Sequence, residues 1–161
     1  LDAYGVDGEV DPGALADAYR EAIGEHIRPV EGVEQLLESL ANDYRLGLLT
    51  NGSVDAQQDK MDRLGLEPYF DAVAISGHLE AGKPDGRAFQ AVLEELDVPP
   101  EEAVHVGDQV ESDVEGAKSA GLSAVQVLYP GGPEPDVCAD GYVDRASLAT
   151  GLPTVLQALD S

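Results

Sequence analysis

The chain alternates two kinds of apolar pattern along most of its length, and that alternation constrains its fold more than any other feature. Arg45-Leu-Gly-Leu-Leu49, Ala72-Val-Ala-Ile75, Ala103-Val-His-Val106 and Ala124 to Leu128 are short apolar runs of strand length, with a further short strand around Tyr142-Val143. Between them lie segments whose apolar residues recur every three or four positions. These are Val33, Leu36, Leu37 and Leu40; a weaker stretch from Val54 to Leu64; Phe89, Val92, Leu93 and Leu96; Val114 to Ala120, closed by Gly121; and finally Leu152, Val155, Leu156 and Leu159. An earlier helix is expected to begin near Asp11-Pro12, with Leu15, Ala18, Tyr19, Ala22 and Ile23 on one face, and to end at Pro29. Strands separated by helices of about ten residues make crossover units. These wind a parallel sheet with helices on both faces, so the expected class is α/β, a three-layer α/β/α Rossmann-like sheet.

A chain of 161 residues fits one domain. No stretch approaches the roughly 18 unbroken apolar residues that a membrane helix requires, so no membrane association is expected. The first residues carry neither the basic start nor the apolar run of a secretory signal, and the expected compartment is the cytoplasm. Asp and Glu number 32 against 9 Lys plus Arg, a formal charge of -23. A surface so charged repels itself, and molar salt shortens the screening length to about 3 Å. With lysine only at 60, 83 and 118, the balance resembles that of halophilic proteins. It excludes nucleic acid as a partner, since phosphate contacts need a basic face. Cys138 is the single cysteine, so neither an intramolecular disulfide nor a thiolate metal cluster can form.

In doubly wound sheets, ligands bind where the strands end, so the residues just after each apolar run matter most. The first run ends in Thr50-Asn51-Gly52, the second leads through a loop to Gly82-Lys83-Pro84-Asp85, and the third ends in Gly107-Asp108, with Asp113 five residues on. A hydroxyl with backbone N–H groups, one cation and two carboxylates are thereby brought to one edge of the sheet, a set suited to phosphoryl groups and a metal ion. Taken singly, each has a structural explanation: Thr50 as a turn cap, Lys83 as a solvated loop residue, Asp113 as a first-turn helix acid. His105 lies inside an apolar strand and reads as a packed core histidine, while His26 and His78 read as residues without partners.

Leu48-Leu-Thr-Asn-Gly-Ser53, Gly82-Lys-Pro-Asp-Gly-Arg-Ala-Phe89 and Val106-Gly-Asp-Gln-Val-Glu-Ser-Asp113 together resemble the second, third and fourth motifs of the haloacid dehalogenase superfamily, in the family's order. The resemblance covers roughly residues 30 to 145. It implies a phosphatase-type hydrolase in which Thr50, Asn51, Gly52 and Lys83 bind phosphate, Thr50 and Lys83 act in catalysis, and Asp108 and Asp113 hold Mg2+, Asp113 either directly or through water. The implied substrate is a small phosphorylated metabolite. The family's first motif, D-x-D, supplies the nucleophile, and no D-x-D occurs in this chain. The resemblance therefore implies a partial helical cap over residues 1–28 and a core over 29–161 that lacks its first strand. The nucleophile would be absent from this chain and the chain by itself inactive, with a homo-oligomer or a complementing N-terminal segment as the partner. Three other readings stand beside this one. They are a haloacid dehalogenase, disfavoured by the paired acids; a non-catalytic binding or scaffold module; and a response-regulator receiver domain, which has no counterpart of the second and third segments quoted.

Overall fold

The computed structural model describes residues 28–160. The expected cap helix over residues 11–29 and His26 fall almost wholly outside the described residues. The elements run in the order α1 (Val33–Leu40), β1 (Gly47–Thr50), α2 (Val54–Leu64), β2 (Ala72–Ile75), α3 (Gly86–Leu96), β3 (Val104–Gly107), a π-helical turn (Val110–Glu115), α4 (Gly116–Ser119), β4 (Ser123–Leu128), β5 (Gly141–Asp144) and α5 (Leu148–Leu159). Among the described residues no helix is long and apolar enough to cross a membrane.

All strand pairs are parallel, as the crossover pattern requires. β1 pairs with β2 from Gly47 opposite Ala72 to Thr50 opposite Ile75. β4 lies between β3 and β5, with Val104 opposite Ser123 and Val125 opposite Gly141. Among the described residues the strands form two pieces, β1-β2 and β3-β4-β5. The physical reason is that, among the described residues, no strand joins β1 to β3, so each keeps one unladdered edge.

Period-two alternation sends neighbouring side chains to opposite faces and builds the layers. Val104, Val106, Val125, Val127 and Val143 meet Leu36 of α1 and Leu152 and Leu156 of α5 on one face. On the other face Ala124 meets Phe89 and Leu93 of α3, with Val114 and Ala117. Helix α3 also bridges the two sheet pieces. Leu49 of β1 packs against the cluster around Phe89, and the Phe89 ring meets His105 of β3 edge-on, with centroids 5.2 Å apart and planes at 86°. Burying such an aromatic ring contributes on the order of 2 kcal/mol or more.

β1 lies so close to α3 that only glycine fits at position 47. A Cβ there would stand 2.6 Å from Cγ1 of Val92 and 3.0 Å from Cδ1 of Leu96. Valine is stiff at χ1 and has little freedom to move aside. Gly47→Ala is expected to destabilise the fold by roughly 1 to 3 kcal/mol, the usual cost of overpacking. A urea midpoint equal to that of the parent would show that the strand and helix move apart freely.

The helix expected from Val114 to Ala120 begins instead as a π turn at Val110. Asp113 and Val114 both donate their N–H to the carbonyl of Gln109, at 2.9 and 3.2 Å. Such wide turns are rare and recur at functional sites. Here the turn folds Asp113 back toward the loop that leaves β3.

Candidate active site

The site is assembled where β1 and β3 end. Asn51 follows Thr50, the last residue of β1, and its side chain clasps the backbone of Lys83 from both sides. Nδ2 donates to the Lys83 carbonyl and Oδ1 accepts the Lys83 N–H, each at 2.8 Å. Gly82 leaves room for this clasp, because a Cβ at that position would lie 2.7 Å from Asn51 Oδ1. The neighbouring turn is held in the same way: Ser76 Oγ accepts the Gly52 N–H at 2.9 Å, and the Gly77 N–H donates to the Gly52 carbonyl at 3.0 Å. Gly52 has φ +138°, which favours glycine.

Lys83 then crosses to the other half of the sheet. Its Nζ donates to Asp113 Oδ1 at 2.6 Å, the two side chains being 12% and 6% exposed. The other oxygen of Asp113, Oδ2, accepts the N–H groups of Asp108 and Gln109 at 3.1 and 3.0 Å. A side chain at Gly107 would collide with the Asp113 carboxylate, so glycine is required for this loop to close over it. Burial by itself pushes the Asp113 carboxyl up, but hydrogen bonds from His105 and Lys83, and from the Gln109 N–H, outweigh it and hold the group well below the usual carboxylate range.

The expected residues are thus linked by an unbroken run of hydrogen bonds, Asn51 to Lys83 to Asp113 to the backbone of Asp108. Thr50 joins through its peptide bond to Asn51. Its half-buried hydroxyl takes no partner among the described residues and remains able to bind a ligand oxygen. The Gly52 N–H is taken by Ser76 Oγ. Asp108 is half-buried, and its Oδ2 accepts from the side chain of Gln109 at 3.0 Å. Among the described residues no three His, Cys, Asp or Glu side chains form a cluster able to hold a metal ion. Asp108 nevertheless suits Mg2+, which takes one or two protein carboxylates together with waters and substrate oxygens.

The packed histidine of the sequence reading also reaches the site, a contact that alternation alone did not disclose. Nε2 of His105 lies 3.3 Å from Asp113 Oδ1, so the ring touches both the core and the site. Ser76 and the side chain of Asn51 were likewise unforeseen as fasteners. Their contacts join loops far apart in sequence, and residue spacing carries no signal of them. Cys138 is exposed, and the Asp136 carboxylate beside it raises its thiol, the opposite of what a nucleophile needs.

The structure thus brings a threonine, a lysine and two aspartates to the strand ends of a parallel α/β core. The model of the haloacid dehalogenase-like hydrolases matches residues 3–121, and the chain belongs to that family. It is 34% identical over 144 residues to the glyceraldehyde 3-phosphate phosphatase of Pyrococcus furiosus, covering 89% of this chain and 59% of that protein. The crystal structure of a HAD phosphatase from Thermococcus onnurineus superposes with a TM-score of 0.73 at 32% identity, over 91% of this chain and 66% of that one. A 2-haloacid dehalogenase from Pseudomonas syringae superposes with a TM-score of 0.72 at 31% identity, over 93% and 65%. The chain spans about half the length of the curated relatives it matches.

Proposed function

We propose that this chain forms the phosphate- and metal-holding part of a Mg2+-dependent phosphomonoesterase acting on a small phosphorylated metabolite. The observation that supports this most is the bonded run from Asn51 through Lys83 and Asp113 to Asp108. It gathers one cation, one half-buried carboxylate and one unpartnered hydroxyl around the ends of β1 and β3. In this reading Thr50 binds a phosphoryl oxygen, and Lys83 offsets the charge of the phosphate and of the attacking carboxylate. Asp108 would hold Mg2+, which when bound polarises the phosphoryl group. Asp113 keeps Lys83 and the Asp108 backbone in register.

In this reading the attacking carboxylate comes from outside the described residues. The unladdered edges of β1 and β3 suit an extended segment that carries it, supplied by an N-terminal stretch or another chain, and hydrolysis then proceeds through an aspartyl-phosphate. The acidic surface and the cytoplasmic setting belong to the same proposal: function in a salt-rich cytoplasm.

A version of the protein that includes such a strand is expected to hydrolyse p-nitrophenyl phosphate in molar salt with Mg2+, and EDTA is expected to abolish the activity. The 161-residue chain by itself is expected to show none. Absence of turnover across a panel of phosphomonoesters would sink the phosphatase reading. Mg2+-dependent turnover by the 161-residue chain would show that the nucleophile is already within it. The likeness to the Pseudomonas syringae dehalogenase makes metal-independent halide release from a 2-haloacid the outcome that favours the second reading.

A further inference from the structure

We infer that His105 is a positioning residue of this site: its Nε2–H is the fourth donor that closes the coordination of the Asp113 carboxylate and holds it ready for Lys83. The inference rests on the site reading above and deepens it. An ionised carboxylate offers about four lone-pair directions. At Asp113 they are met by Lys83 Nζ at 2.6 Å and His105 Nε2 at 3.3 Å on Oδ1, and by the N–H groups of Asp108 and Gln109 on Oδ2. Asp113 has no acceptor site left over. It is therefore a hub that other groups are hung on, and a metal ion falls to Asp108.

The fold makes His105 suited to this task. Strand alternation turns Val104 and Val106 to the α1/α5 face and His105 to the α3 face. There the edge-on contact with Phe89, itself 2% exposed, limits rotation of the ring. The contact thus ties the position of α3 to that of the carboxylate. Removing the imidazole leaves Oδ1 with Lys83 as its single donor, and frees the carboxylate to turn away from the 108–109 amides. Both consequences reach Lys83 and Asp108 without His105 touching substrate.

The test reads the site in the chain itself and needs no turnover. Long-range 1H–15N correlation spectra of the parent protein at neutral pH are expected to show a proton on Nε2 of His105. A bare Nε2, with the proton on Nδ1 alone, would overturn the inference even if every variant failed to fold. In His105→Met, amide exchange at Asp108 and Gln109 is expected to quicken about tenfold, the loss of one hydrogen bond, with Val127 and Val143 unchanged. His105→Gln, whose amide reaches about as far as Nε2, is expected to restore most of that protection. Unchanged exchange in the Met variant, or equal exchange in Met and Gln, would reduce His105 to a packing residue. If phosphatase turnover were absent while these readouts held, the positioning role would survive and the functional reading would not.

Discussion

Replacing Asp113 with alanine is expected to destabilise the protein by about 3 to 5 kcal/mol, the usual result of deleting one member of a buried ion pair. The Lys83 side chain is 12% exposed and would become a nearly buried ammonium with no carboxylate to face. The N–H groups of Asp108 and Gln109 would lose their acceptor at the same time. Asp113→Asn keeps the shape but must turn an NH2 group toward one of the donors, so it is expected to recover only part of the loss. The pH dependence follows from the depressed carboxyl. Because the folded-state value lies below the unfolded one, near 3.9, the contribution is fully present above the ordinary carboxylate range and is lost as pH falls through the folded value, at the strongly acidic end. Between pH 5 and 8 this carboxylate contributes no slope. Urea unfolding at a series of pH values measures both effects, and a loss under about 1 kcal/mol at pH 7 would show the hub to be dispensable.

Lys83→Met is expected to lower kcat/KM about a thousandfold in a protein that carries the first strand. At about 4 Å and an effective dielectric near 20, one charge pair is worth roughly 4 kcal/mol, and each 1.36 kcal/mol corresponds to a factor of about ten. The thioether fills similar space without the charge, so the loss reports on electrostatics more than on packing. Lys83→Arg retains the charge. Its broad planar fork does not match a position where Nζ makes a single 2.6 Å bond, so only partial recovery is expected. A loss smaller than tenfold in steady-state phosphomonoester hydrolysis would remove Lys83 from the catalytic role. Stability measured on the same variant separates a folding defect from a catalytic one.

The lysine and the aspartate thus act as a unit, and the sequence showed the members of the unit more readily than their bonding. Gly82-Lys83-Pro84 and Gly107-Asp108 were legible because turn glycines and charged residues interrupt apolar runs at strand ends. That Asn51 clasps the backbone of a residue 32 positions away was not. Neither was the π turn at Val110–Glu115, because a single turn is too short to show a period in its apolar residues. His105 illustrates both sides: its place in an apolar strand marks it as a packed residue, and its ring does pack edge-on against Phe89, while its contact with Asp113 crosses from one element to another.

The sequence by itself determined the parallel α/β class, the order of elements and the strand ends at which chemistry gathers, because these depend on periodicity and local turn chemistry within ten or so residues. Tertiary structure decided which groups actually meet: Ser76 on Gly52, Asn51 on Lys83, and His105 with Lys83 on one oxygen of Asp113. It also decided that α3 packs across the two strand groups that the described residues form. Hydrogen bonds and ion pairs act over about 3 Å between residues distant along the chain, and only packing the layers against each other brings such residues within that range.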